Sequence, residues 1–491
     1  MSDNTTEVER DWSDGLVSSF SQDRANRVAR NSVTSANVIP AARNVSAMRT
    51  YHDTFGVSRP RTGEVTNQRQ SGRCWMFSAF NVARAAAMDF LDVDTFEFSQ
   101  AYGFFYDKLE KFNVGLERII ATADQDAGSR EVAMLLEESM GDGNYYPAAM
   151  NLIRKWGLVP KDAMPESACT KNSSQMNAQL ERLFRKAACE LRQMVASGAS
   201  DADVHARKQE WVGACHHVLC VCLGEPPLTI DVSIPVGKGC KADPSKIVEV
   251  AGGPARDASD GADGERADKA EPRRLLVDKG ITPQEFAERY VPFDPSDYVE
   301  LVNVELPEYP FGQAYHPTLT DTMQGGTPLR MLNVPVEVLE DAAVASLRAG
   351  VPCEMACDVS QQYGRGLEDF PGVLGTDTMD FEALFGVDLS MSRPDMLRNR
   401  ETRTTHAMTF QGVQLGEDGR PEAWRIENSW GKDSCKDGFL IASGDWYRTY
   451  GGEVVVRREF VPEEWLRCLD EKPVVDVDPW SVIACAFPAL D

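Results

Sequence analysis

Histidine is scarce in this chain. Six occur in 491 residues, so each candidate imidazole for acid–base chemistry can be weighed singly. Long apolar runs are missing too. None approaches the eighteen or more residues of a membrane-spanning helix. The first fourteen residues are polar and acidic, without the apolar core of a secretory signal, so a cytoplasmic location is expected. Positive charge is in deficit: 51 Lys and Arg stand against 76 Asp and Glu, a formal net charge of −25. This excess argues against a general affinity for nucleic acid or anionic membrane. No run of Lys or Arg makes a basic face, and the densest patch, Arg393, Arg398 and Arg400, reads as a solvated loop. No internal repeat is visible. Cysteine is present, twelve times, but at irregular spacing. That pattern reads as reduced thiols and not as a disulfide framework.

What is there is an ordinary globular composition, 42% hydrophobic and 26% charged. One stretch organises it. A polar turn, Thr66-Asn67-Gln68-Arg69-Gln70-Ser71-Gly72-Arg73, delivers Cys74 to the front of a segment rich in helix formers and free of Pro and Gly. Trp75, Met76, Phe77, Phe80, Val82, Met88 and Leu91 make that segment apolar nearly all round, which predicts a buried helix. Ser71 is the expected cap. A cysteine at a helix N-terminus meets outward N–H groups and the positive dipole end, which favour thiolate over thiol. Taken alone, a Cys at this place reads more readily as core.

Further helices are predicted over residues 96–113, 115–140 and 147–156. A helical hairpin is predicted over 176–195 and 203–223, where Leu180, Leu183, Phe184, Ala187, Leu191 and Met194 recur at three- and four-residue steps. Residues 252–269 are low in complexity and poor in large apolar groups, so an acidic mobile loop is expected over about 236–272. Thr282 and Glu285 form a capping box for a short helix. After about residue 296 the texture turns to strands, over 298–304, 335–339, 409–415, 423–428 and 452–457, with a helix at 341–350. Helical first and β-rich later is an α+β arrangement.

A nucleophilic cysteine needs a base, and the base needs an orienting group. His205, His216 and His217 lie in the hairpin, and His52 and His316 in loops. His406 opens a strand-like segment, Thr405-His406-Ala407-Met408, where an imidazole can face a cleft. Asn428 ends another strand, and Trp430 follows. An Asn oxygen can hold one imidazole N–H, and an indole can screen that bond from water. In the hairpin, Cys215, His216, His217, Cys220 and Cys222 invite a metal reading. On one helix they do not converge as the tetrahedron zinc requires, so no metal or cofactor is expected and core packing is preferred.

Gln68 six residues before Cys74-Trp75, then Thr405-His406-Ala407-Met408, then Glu427-Asn428-Ser429-Trp430-Gly431, resembles the papain-like cysteine peptidases. Residues 66–68, 71–75, 98–102, 405–410, 424–431 and 461–464 resemble their bleomycin hydrolase and aminopeptidase C branch. The resemblance spans about residues 50–484. It implies a papain-like two-lobed fold: a surface segment at 1–50, a helical lobe at 51–170, an insertion at 171–291, a β-rich lobe at 292–470 and a C-terminal arm at 471–491. It implies Cys74 as nucleophile, His406 as its partner, Asn428 as the orienting group, and Gln68 as an oxyanion donor, which contributes about 10²–10³ in rate in related sites. It implies aminopeptidase action on peptides through a thioester, with the arm in or near the cleft, and assembly as a homohexamer. The residues after Ala484 exceed the family's usual end. They could fill the cleft, be trimmed or bend away, which keeps open a papain-like endopeptidase. A catalytically silent scaffold of the same fold is the other alternative. The acidic net charge predicts tolerance for basic peptides.

Overall fold

The computed structural model describes residues 7–137, 139–250, 273–367 and 372–490. Helices fill the first half and strands the second, the α+β order expected. The helix Cys74–Leu91 is buried along almost its whole length. It stops at Asp92, whose left-handed backbone (φ 56°) closes its N–H on Met88 O. The next helix is a single rod, Gln100–Ala121, capped by Ser99. It runs straight through Gly115, where sequence predicted a break. A Cβ on Gly115 would come within 2.7 Å of the Phe184 ring, so the missing side chain lets the helix Ser174–Ala196 pack against it. That helix and Asp201–Leu223 form the predicted hairpin.

Two expectations fail downstream. The region around residue 236 is folded, not a loop. Ile230–Val236, Arg273–Ile281 and Ile247–Val250 form a three-stranded antiparallel sheet. Ile230, Val232 and Val236 are buried on its inner face. This alternation is short and flanked by Gly- and Asp-rich sequence, which masks it. Residues 252–269 lie outside the described residues. The segment 335–339, read as a strand, begins the helix Val336–Arg348. Its β-branched start misled, because burial of Leu339, Ala342, Ala343 and Leu347 at helical spacing outweighs local β preference. The capping box at Thr282 and Glu285 is present and opens Pro283–Tyr290.

The large sheet runs, edge to edge, through Val475–Val477, Gln313–Pro317, Met331–Asn333, Tyr298–Val302, Gly451–Arg457, Cys353–Cys357, His406–Leu415, Pro421–Glu427, Phe439–Ser443 and Val373–Leu374. His406–Leu415 is a central strand, buried over its first eight residues. Three apolar clusters result: one among the helices, one on the sheet, and a smaller one that takes in Ile483, Ala486 and Phe487 of the C-terminal segment. The first two meet where Cys74–Leu91 lies against His406–Leu415. The amino-terminal helices Arg10–Gln22 and Arg24–Ala36 bury none of their residues, and Trp12, Leu16 and Phe20 stand exposed.

Candidate active site

Cys74 is the first residue of its helix and is fully buried. The first N–H groups of a helix have no partner within the helix itself. Ser71 is not the cap. The N-cap is Arg73, which makes no side-chain capping bond, while the Ser71 hydroxyl donates to Gln68 O (2.7 Å) and accepts from Arg73 Nε (2.8 Å). The turn is held by ions instead. Arg73, wholly buried, forks onto both oxygens of Glu166 (3.0 and 2.8 Å) and donates to Thr170 O. Asp142 accepts from the Gly72 N–H (3.0 Å) and the Lys108 ammonium (2.7 Å), and its carbonyl accepts from Trp75 Nε1 (3.0 Å). Cys74 is therefore gripped on both sides by one acidic residue.

His406 begins the central strand, opposite Cys357 in the ladder. The Ser78 hydroxyl donates to Met408 O (2.7 Å) and touches Thr409 Oγ1 (3.1 Å). Ser78 lies one helical turn, about 6 Å, beyond Cys74. Met408 lies two strand residues, about 6.6 Å, beyond His406. Helix and strand thus step together from this lock back to Cys74 and His406. A second tie is the buried ion pair Arg84–Glu427, with Gln411 donating to the other Glu427 oxygen (2.6 Å). It joins the cysteine helix to the residue before Asn428.

Asn428 Oδ1 lies 2.8 Å from His406 Nε2. The same oxygen accepts from Ser429 N–H, and Asn428 Nδ2 donates to Cys435 Sγ, so the amide is held at both ends. Trp430 stacks on the imidazole, with centroids 5.0 Å apart and planes at 25°. Burial, helped by the nearby Arg365 guanidinium and opposed by the bond to Asn428, lowers the imidazole to about 4. A cationic His406 therefore needs an anion at its side.

Gln68 is also present. Its Nε2 donates to Ser71 O (2.7 Å), and its Oε1 accepts from the Ser429 hydroxyl (2.6 Å). An amide nitrogen has two N–H donors, so one remains to turn toward a reacting carbonyl. Gly431 seals this corner. Its φ is +81°, and a Cβ there would lie 2.4 Å from Asn67 Nδ2, so only glycine fits.

Sequence reading missed Ser429, Asp142, and the Arg73–Glu166 and Arg84–Glu427 pairs. Ser429 lay inside the motif at 427–431. Asp142 was visible only as the centre of Gly141-Asp142-Gly143, a turn signal. The ion pairs join residues far apart in the chain and left no local trace. The hairpin residues are core and surface instead. Cys215 is buried, with its thiol pushed up by burial, and His216 touches Cys220 (3.6 Å) and the Phe105 ring edge. Among the described residues no three His, Cys, Asp or Glu side chains converge on a metal position. His316 lies between Asp476 (2.9 Å) and Asp321 (3.1 Å).

The C-terminal segment lies across both walls. Thr404 N–H, two residues before His406, donates to Ala486 O (2.9 Å), while Tyr145 OH donates to Phe487 O and Leu490 N–H to Asn144 O (both 3.2 Å). Phe487 and Leu490 are buried.

Comparison with known proteins agrees with this arrangement. The Peptidase C1-like family matches residues 7–234 and 268–484. Aminopeptidase C of Streptococcus thermophilus is 35% identical over 418 residues, 85% of each chain. Aminopeptidase G of Lactobacillus delbrueckii subsp. lactis is 33% identical over 465 residues, 95% of this chain and 96% of its own. The crystal structure of PepW from Lactobacillus rhamnosis superposes with a TM-score of 0.85 at 31% identity, over 97% of this chain and 98% of that one. With the family matched over most of its length, and a relative and a solved structure both above 30% identity, this chain belongs to the Peptidase C1-like family of papain-like cysteine peptidases.

Proposed function

We propose that the chain is a cysteine aminopeptidase in which Cys74, His406, Asn428 and Gln68 carry out the reaction. The Cys74 thiolate attacks the carbonyl carbon of the first peptide bond. The oxyanion is bound by the Cys74 backbone N–H and by the Gln68 Nε2–H not engaged with Ser71. Protonated His406 gives its Nδ1 proton to the departing amine, leaving a thioester on Cys74. Water, deprotonated by His406, then attacks the thioester, and the amino acid leaves as the thiolate is restored. The 2.8 Å contact between His406 Nε2 and Asn428 Oδ1 carries this reading, because it assigns a proton to Nε2 and leaves Nδ1 for exchange with the sulfur.

The exopeptidase register is supported by the C-terminal segment, which is hydrogen-bonded to Thr404 on one side and Asn144 on the other, close in sequence to His406 and Asp142. Self-association into a homohexamer is supported by the exposed apolar faces of Arg10–Gln22 and of residues 385–391, where Phe385, Val387 and Leu389 face water. A cytoplasmic setting is supported by twelve cysteines that form no disulfide among the described residues. No described helix is long and apolar enough to cross a membrane. The test is hydrolysis of one fluorogenic peptide series with free and with acetylated N-termini. Cleavage confined to free amines, and abolished in Cys74→Ala, is expected. Cleavage of acetylated peptides would make the enzyme an endopeptidase, and full activity in Cys74→Ala would sink the mechanism.

A further inference from the structure

A cavity of about 900 Å³ lies between the turn at 141–145, Thr404 and Thr405, and the C-terminal segment. Two of its walls adjoin, in sequence, residues of the candidate site. Thr405 precedes His406, and the turn contains Asp142, which holds Gly72 and Trp75 on either side of Cys74. Its charge differs from that of the molecule. Lys111 is matched by Asp107 (2.9 Å), and Glu181 by Arg185 (3.1 Å). Arg118 donates only to the neutral carbonyls of Leu319 and Asp321. Arg400 and Arg403 reach the cavity with exposed side chains that have no hydrogen bond or ion pair among the described residues. Among those residues, Glu137 is the one lining carboxylate without a cation. In a chain of net charge −25, the described lining of this recess is locally positive.

We propose that this cavity receives the side chain of the substrate's N-terminal residue and favours an acidic one, with Arg400 and Arg403 meeting its carboxylate. The proposal rests on the aminopeptidase reading and names its substrate class. A local field, not the net charge, acts on a group inside a recess walled by protein. Two guanidiniums can take a carboxylate by charge-assisted hydrogen bonds. A Lys or Arg side chain entering the same space meets the like charge of both guanidiniums, with Glu137 as the one unpaired carboxylate among the described lining residues to offset it. The acidic surface that pointed to basic peptides lies outside this recess and does not set the choice.

The test compares kcat/KM for three fluorogenic aminoacyl amides whose single residue is Glu, Ala or Lys. The wild-type chain and an Arg400→Glu/Arg403→Glu variant are both assayed. Both positions are exposed, so the variant is expected to fold. Glu over Lys by about tenfold is expected for partly exposed ion pairs, with the ratio shrinking as salt is raised and inverting in the variant. Lys cleaved as fast as Glu by the wild type overturns the proposal. So does a variant in which all three rates fall together at an unchanged ratio, because the arginines would then be holding the C-terminal segment. Cleavage of none of the three, Ala included, sinks the aminopeptidase reading and this proposal with it.

Discussion

The two walls of the site bury charge in opposite ways. On the cysteine wall every buried ion has a partner. Arg73 meets Glu166, and Lys108 spends its three donors on Asp142 and the carbonyls of Met140 and Gly141. On the sheet behind His406, three glutamates are buried with no cation between them among the described residues. Glu300 and Glu354 each lie opposite Val455, and Glu453 stands two residues earlier on the same strand. Glu300 has no hydrogen-bond partner on either oxygen among the described residues. Burial pushes all three carboxyls upward, Glu453 to about 8. On the other wall, burial also pushes Asp142 upward, but Lys108, Ser173 and Asn177 overcome it and hold the group below the usual carboxylate range. Burial alone therefore does not set protonation. The neighbours do, and one wall is built to stay ionised while the other is built to stay neutral.

Breaking a balanced pair is expected to have the largest effect. Lys108→Met leaves Asp142 buried without its cation, which costs about 3–5 kcal/mol in urea unfolding. A loss under about 1 kcal/mol would erase the contrast between the walls. Glu453→Gln should act in the other direction. An unfolded glutamate ionises near 4.5, whereas Glu453 keeps its proton to about 8. Its contribution is therefore full below 4.5 and is lost as pH rises toward 8. The variant lacks that loss, so it should gain about 1–3 kcal/mol at pH 8 and show a flatter dependence of the urea midpoint on pH. An unchanged slope would mean that Glu453 already ionises in the fold.

His406 sharpens the comparison at the junction. In Cys74→Ala the sulfur is gone, and the imidazole should protonate only near pH 4 by NMR titration. Protonation near 6.5 would show that the site is wetter than its burial implies. The smallest effect belongs to His316, raised by Asp321 and Asp476. Its stabilisation is present below its unfolded value of 6.5 and is lost as pH rises through its higher folded value. His316→Asn should cost under about 1 kcal/mol at about pH 5.5, since Asp476 is largely in water, and almost nothing at about pH 9. An equal loss at both pH values would mean that packing, not charge, is what His316 contributes.

Local chemistry was legible in the sequence wherever one segment carries it. The apolar run after Cys74, the hairpin period, the Thr282 capping box and the short motifs around His406 and Asn428 each declare themselves within a few residues, because propensity, capping and periodicity act over one or two turns. The four proposed catalytic residues were named from the family resemblance that those short motifs carry, without a fold. Features that depend on contacts between distant segments could not be read in this way. Ser71 looked like a cap until Arg73 found Glu166 ninety-three residues away. Residues 335–339 looked like a strand until a core stood beside them, and Asp142 looked like a turn until Lys108, Gly72 and Trp75 converged on it. The sequence set the inventory: twelve cysteines, six histidines and a net negative charge. Folding then settled which charges balance, which carboxyls stay neutral and which arginines face a cavity, because the energy of a buried charge is set by the groups brought within a few ångströms of it.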